Sequence, residues 1–274
     1  MGEALKNIGN LSCKVLLFGG VYSNFQALKK LISIAKIEGI PAENCICTGD
    51  LVGYCSQPEE TVSLFREWGA RSITGNVEIQ LAEGKDDCGC DFREGSRCDN
   101  FSQTWFPYAK GHLSADSIEW MKNLPRNIEF EFAGKRITVV HGSMEHVSEF
   151  IFKSTPWSVK EAVFKATNSD MIIAGHCGLP FHDIQDDKIW LNPGVIGMPA
   201  NDGTPKVWYA ILDKNEKHLF KHFSFKYNHK LTSELMLKNF LPEEYARTII
   251  TGIWDNTEIL PERETGLQGF GINL

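Results

Sequence analysis

Between Lys14 and Asn76 the sequence alternates short apolar runs with longer stretches of helical period, and this alternation constrains the fold more than any other feature. Lys14–Phe18 and Cys45–Thr48 are brief and almost wholly apolar, as strands covered on both faces are. Leu28, Leu31, Ile32 and Ala35 recur at helical spacing, which predicts an amphipathic helix over Asn24–Glu38. Pro58–Trp68 reads as a second helix and Arg71–Thr74 as a third strand. Strand–helix–strand–helix–strand needs crossover connections, so the strands pair in parallel.

The rest of the chain changes character. Ala82–Asn100 is polar, rich in Gly and Asp, and reads as a surface loop, the core of an expected lid over 82–112. Ser114–Leu124 opens on a serine N-cap and predicts a helix. "IEFEFAGKRITVVHG" alternates apolar and polar residues about Ala133-Gly134-Lys135, the pattern of a hairpin. A helix (Ser158–Thr167) and a buried strand (Met171–Ala174) follow. Three short strands come next, at Lys188–Leu191, Lys206–Leu212 and Leu219–Phe225, and are expected to run antiparallel. Helical patterns over 231–253 (Leu231–Phe240 and Pro242–Ile253) precede a tail. With no repeat and no linker, residues 1–274 are expected to form a single domain. Its class is α/β (α+β), a four-layer α/β/β/α sandwich of two mixed sheets flanked by helices.

Apolar residues make up 42% of the 274 positions and charged residues 23%, enough to build a core without disulfides. The net charge of −7 argues against nucleic acid or an anionic membrane as the main partner. No apolar run reaches the roughly 18 residues of a membrane span, and the N-terminus lacks the apolar stretch of a signal peptide. Cys13, Cys45 and Cys47 lie in or beside apolar strands and read as small core residues, so a cytoplasmic location is expected. Exposed aromatics expected in the terminal helices of this acidic chain leave a homodimer open.

Four strands end in a turn that carries a metal-ligating group beside a glycine. These are Asp50 in "CTGDLVGY", Asn76 in "ITGNVE", His141 in "VVHGS" and His176 in "IAGHCG". A lone Gly-Asp ordinarily marks a turn, and a lone His-Gly a hydrogen-bonded histidine. Four such groups at strand ends are a different matter: a carboxylate, an amide oxygen and two imidazoles suit Zn²⁺, Mn²⁺ or Fe²⁺.

The order and spacing of these blocks resemble the calcineurin-like metallophosphoesterases, in particular the small bacterial and archaeal branch. That family's pattern runs D-x-H, G-D, G-N-H, H-G and G-H-x-H. Here the blocks read "GVY" (20–22), "GD" (49–50), "GNVE" (75–78), "HG" (141–142) and "GHCG" (175–178). "GDLVGYCSQPEE", "WLNPGVIGMP" and "NFLPEEYARTIITG" extend the likeness over nearly the whole chain. The resemblance implies hydrolysis of a phosphomonoester or phosphodiester, a small phosphorylated substrate, and two metals sharing the aspartate at Asp50.

The departures fall together. The second metal's ligands, Asp50, Asn76, His141 and His176, are all present. The three positions private to the first metal hold Gly20, Tyr22 and Gly178, and the proton-donating histidine after the asparagine is Val77. The expectation is therefore one divalent ion (Mn, Zn or Fe) and no second, with reduced or narrowed activity. One ion can acidify water and polarise a phosphoryl oxygen, but cannot clamp both attacking and leaving oxygens. Loss of a general acid typically costs 10²–10⁴-fold. The rival reading is a non-catalytic relative that binds a phosphorylated ligand or a protein partner in the old cleft. Tyr22 either fills the absent ion's volume, with its hydroxyl offered to a phosphate oxygen or to Asp50, or is a plain space-filling aromatic. Asn24 and Cys177 are further pocket candidates, and His146 and His182 could replace a lost imidazole. Cys88, Cys90 and Cys98 offer three thiols, one short of a closed zinc site; Asp87, Asp91 or His112 could supply a fourth ligand.

Overall fold

The computed structural model describes residues 2–274. Eleven strands form two sheets. Those of the first half are β1 (Leu5–Asn10), β2 (Val15–Phe18), β3 (Cys45–Cys47), β4 (Arg71–Ser72), β5 (Asn127–Phe132) and β6 (Lys135–Val139). Those of the second half are β7 (Met171–Ile173), β8 (Pro180–Gln185), β9 (Lys188–Pro193), β10 (Val207–Leu212) and β11 (Phe220–Phe225). The helices are α1 (Phe25–Ile37), α2 (Pro58–Trp68), α3 (Asn76–Ala82), α4 (Arg97–Gly111), α5 (Ala115–Lys122), α6 (Trp157–Thr167), α7 (His229–Lys238), α8 (Glu243–Thr251) and α9 (Glu262–Thr265).

One sheet has the order β11-β10-β2-β3-β4, the other β1-β5-β6-β7-β9-β8. The β2, β3 and β4 strands pair in parallel, as the crossovers require, and β10 closes that sheet antiparallel to β2. The second sheet is also mixed: β6, β7 and β9 run parallel between the antiparallel strands β5 and β8. Strand alternation sorts the core. Val15 and Leu17 face the other sheet and meet Ile137, Val139, Met171 and Ile173, all buried. Leu16 and Phe18 face outward onto α1 and α2, where Leu28, Leu31, Val62 and Phe65 cover them. On the far face of the second sheet, Ile172 and Trp190 pack under Val163 and Phe164 of α6. The result is four layers, α/β/β/α.

Several elements differ from the sequence reading. The expected loop is partly helical. Residues 97–111 form α4, capped by the Ser96 side chain, and bury Trp105 and Phe106 against the core. Only residues 83–96 remain irregular. The β1 strand is largely exposed and polar, so it has no apolar alternation to reveal it, and it forms by pairing in parallel with β5. The expected antiparallel trio is divided: β9 joins one sheet, while β10 and β11 pair antiparallel in the other. The terminal tail carries the short helix α9, whose Glu264 is buried against Ser154. Among the described residues no helix is long and apolar enough to cross a membrane.

Candidate metal centre

The carboxyl ends of β3 and β4 in one sheet face those of β6 and β7 in the other. Asp50, Asn76, His141 and His176 follow these four strands and come together, all buried. His141 is the hub. Its Nε2 lies 3.1 Å from Asn76 Oδ1, 3.1 Å from His176 Nδ1 and 3.2 Å from Asp50 Oδ2. Its Nδ1 lies 2.6 Å from the Thr48 carbonyl oxygen, a group that only accepts, so the Nδ1–H donates there. In the neutral ring Nε2 is then a bare lone pair beside the Asn76 and Asp50 oxygens and a ring nitrogen of His176. Acceptors this close repel one another unless a proton or a metal cation stands between them. Donors about 2.1 Å from an ion stand roughly 3.0–3.4 Å apart between octahedral and tetrahedral geometry, and the observed spacings fall in that range. Asp50, His141 and His176 each place a ligand atom within 4.8 Å of the others, and His176 Nε2 is left buried without a partner. The residues present fit one divalent ion.

Charge supports this fit. Burial holds the His176 imidazole neutral, aided by His141 beside it, and its pKa falls to about 3. Burial alone would lower His141 and raise Asp50, but the attraction between the two outweighs it. His141 is raised and Asp50 lowered, so the carboxylate stays ionised. A neutral His176 and an ionised Asp50 are the forms that bind metal, and an ion would take the place of the proton that Asp50 otherwise favours on His141.

The backbone is shaped for the same purpose. Asp50 (φ 59°) and His176 (φ 58°) adopt the left-handed conformation, uncommon for non-glycine residues and typical of strained functional turns. A β-carbon on Gly75 would lie 2.1 Å from Asp50 Oδ1, and one on Gly49 2.7 Å from His141 Nδ1. Only glycine lets the turns approach so closely. Glu78, fully buried, ties the two turns of the first sheet together, accepting from the backbone N–H groups of Asp50 (2.9 Å), Leu51 (2.9 Å) and Gly75 (2.8 Å). Burial and the nearby Asp50 push its carboxyl up to about 7. Sequence reading missed Glu78, although its place three residues after the helix-opening Gly75 is a capping-box spacing.

The altered positions lie on the other side of Asp50. The ring of Tyr22 packs over Gly20, where a β-carbon would meet Cε1 and Cζ at 2.3 Å; Gly53 and Gly197 hold its other edges. No hydrogen bond joins its hydroxyl to Asp50. Trp254 covers Gly178, its ring 3.4 Å from where a β-carbon would stand, and its Nε1–H donates to the Pro199 carbonyl at 2.8 Å. Tyr22, Gly178 and Val77 line a cavity of about 80 Å³ beside Asp50 and His176. Its outer wall holds Tyr54, Phe92, Phe150, Tyr245 and Trp254, which sequence reading did not single out.

Other candidates fall elsewhere. Asn24 is not a pocket residue. It caps α1 through Ala27 N–H (3.1 Å) and donates to the Gly197 carbonyl and the Tyr227 hydroxyl. Cys177 reaches the cavity floor, but burial raises its thiol to about 12 and its sulfur accepts from Asn192. His182 stacks on His222 beneath Phe220, and His146 is exposed on a turn, so neither joins the cluster. Cys90 accepts from the Asn76 amide (3.3 Å) beside Cys88, whereas Cys98 turns to Asn256 and His112 stacks on Tyr108. These groups do not assemble a tetrahedral ligand set.

Residues 14–217 match the calcineurin-like phosphoesterase superfamily domain, and the chain belongs to that superfamily. It is 26% identical over 255 residues to an uncharacterised protein of Methanocaldococcus jannaschii, covering 87% of this chain and 98% of the relative. The fold is shared with a hypothetical protein of Pyrococcus horikoshii (TM-score 0.73, 21% identity, 89% of this chain and all of that one). It is shared too with a metallophosphoesterase of Sphaerobacter thermophilus (TM-score 0.68, 22% identity, 89% of this chain and all of that one).

Proposed function

We propose that this chain is a phosphoesterase working with one divalent ion, held by Asp50, Asn76, His141 and His176, and that its activity is reduced or narrowed relative to two-metal members. The carrying observation is the crowding of the Asn76 and Asp50 oxygens and a His176 ring nitrogen within 3.2 Å of His141 Nε2, a nitrogen that carries no proton in the neutral ring. When bound, the ion supplies Lewis acidity to a phosphoryl oxygen and lowers the pKa of water. The chain's own groups do the rest. The Thr48 carbonyl fixes the His141 tautomer, and Glu78 holds the two ligand turns in register. In the overall reaction water adds to phosphorus, the P–O bond to the leaving alcohol breaks, and a proton ends on that alcohol. Val77 offers no proton, so good leaving groups react best.

The test is elemental analysis of the purified protein together with hydrolysis of bis(p-nitrophenyl) phosphate under added Mn²⁺. One equivalent of metal and turnover, both lost in Asp50→Ala, are expected. Turnover that survives in Asp50→Ala overturns the reading. A second reading, a non-catalytic binder of a phosphorylated ligand or protein partner, draws on Val77 standing where a proton donor is expected. It predicts no metal and no turnover.

A further inference from the structure

We propose that Cys88 and Cys90 form a thiol pair that sets the metal affinity of the site. Reduced, the pair holds Asn76 in its ligating orientation; a peroxide that joins the two sulfurs as a disulfide releases it. This rests on the one-metal reading above and names a regulation of that same site.

Asn76 is the ligand whose orientation the chain must choose. Its amide ends in an oxygen with lone pairs and a nitrogen that only donates, and half a turn about χ2 exchanges them. Only Oδ1 can bind an ion. The segment 88–90 makes the choice. Asn76 Nδ2 donates to the Cys88 carbonyl at 2.8 Å and to Cys90 Sγ at 3.3 Å. Both N–H groups are thereby occupied, and Oδ1 faces His141 Nε2 at 3.1 Å. The segment is itself anchored by the loop that follows His141, where the Ser148 hydroxyl donates to the Gly89 carbonyl.

The same turn brings the two sulfurs together. Gly89 takes the left-handed conformation (φ 66°), and the Cys90 N–H donates to Cys88 Sγ at 3.3 Å. The two thiols also interact side chain to side chain. Cys90 lines the cavity beside Asp50, where a small solute reaches it, and Cys88 is buried next to it. The other cysteines of the cavity are engaged elsewhere, Cys98 with Asn256 and Cys177 with Asn192.

Hydrogen peroxide is the oxidant. The Cys90 sulfur attacks one peroxide oxygen, the O–O bond breaks, and the thiol proton leaves with the other oxygen as water. A sulfenic acid remains. The Cys88 sulfur then displaces its oxygen, which takes the second thiol proton and leaves as a second water. Two thiols lose two electrons, and one peroxide gains them. Joining the sulfurs turns Cys90 Sγ toward Cys88 and off the Asn76 amide. One N–H then lacks its acceptor, and the flipped amide, which offers the ion no lone pair, gains population. A disulfide spanning a single residue is strained, and strained disulfides are readily reduced, so a thiol reverses the change.

The test uses the full chain with Cys13→Ser, which removes the exposed cysteine. The metal-free protein is treated with hydrogen peroxide, freed of it, and titrated with Mn²⁺ by calorimetry. Trypsin cuts after Lys85 and Arg93, so the peptide Asp86–Arg93 carries Cys88 and Cys90 and no other cysteine. That peptide should become lighter by two hydrogen atoms. Mn²⁺ affinity should fall by about tenfold or more, as when a metal ligand loses an outer partner, and dithiothreitol should restore both. Cys90→Ser keeps an acceptor for Asn76 and has no second sulfur to join. It should bind Mn²⁺ within about threefold of the reduced parent and ignore peroxide, whereas Cys90→Ala should bind about tenfold more weakly in either state. An unlinked peptide after peroxide, a linked peptide with unchanged Mn²⁺ affinity, or equal affinity in Cys90→Ser and Cys90→Ala overturns the inference and leaves the one-metal reading standing. Failure of the reduced parent to take up Mn²⁺ overturns the one-metal reading, and the inference with it.

Discussion

Replacing Gly20 with alanine would place a methyl carbon 2.3 Å from Cε1 and Cζ of Tyr22 and 2.8 Å from its hydroxyl. Carbon atoms rest at about 3.5–4.0 Å, so the ring must move by more than 1 Å or the backbone must yield. The ring has little freedom. β-Carbons at Gly53 and Gly197 would stand 3.0 and 2.6 Å from its other atoms, and Tyr54 meets it edge to face at 4.7 Å. Overpacking of this kind costs about 1–3 kcal/mol, and the tight enclosure argues for the upper end. Tyr22→Ala should cost about 3–5 kcal/mol through the cavity it leaves, and alanine relieves nothing of the left-handed backbone at φ 51°. In the double variant the new methyl enters vacated space. G20A/Y22A should therefore be no less stable than Tyr22→Ala alone, a coupling of about 2–3 kcal/mol. Urea denaturation of the four proteins measures it. Additivity within about 0.5 kcal/mol would refute the claim that Tyr22 occupies the space above Gly20. The same geometry disfavours an aspartate at position 20 while Tyr22 remains, and predicts that G20D is better tolerated once the Tyr22 ring is removed.

Gly75→Ala drives a β-carbon to 2.1 Å from Asp50 Oδ1 and should abolish metal uptake, read by elemental analysis, even where circular dichroism shows a folded chain. Asp183→Ala strips the carboxylate 2.6 Å from the fully buried Lys160 ammonium and should cost about 3–5 kcal/mol in urea unfolding; Asp183→Ala with Lys160→Met should recover most of the loss. Burial lowers the His222 imidazole to about 4 despite its 2.9 Å bond to the Asn192 carbonyl. Between the unfolded value near 6.5 and about 4 the unfolded chain binds the extra proton, so this stability is complete above pH 6.5 and is lost as pH falls. The loss should be about 1–2 kcal/mol from pH 7 to pH 5, and His222→Gln should flatten that part of the profile.

The sequence by itself determined the strand–helix alternation, the four blocks of candidate ligands and the departures at Gly20, Tyr22, Val77 and Gly178 from the superfamily pattern it resembles. Each is a local signal, carried by an apolar run, a helical period, or a glycine beside a polar group. It determined less where an element owes its form to distant contacts. The β1 strand is polar and exists through its pairing with β5, and α4 is polar at its start yet buries Trp105 and Phe106. Only the tertiary structure decided that the candidate ligands come two from each sheet, meeting where the sheet ends face each other. The structure also showed that Glu78 binds two turns, that Asn24 serves a helix cap, and that rings from the far C-terminus wall the cavity. A single sequence records which groups the chain owns; packing of remote segments sets which of them meet, because the distances of about 3 Å at the site join side chains that lie tens of residues apart.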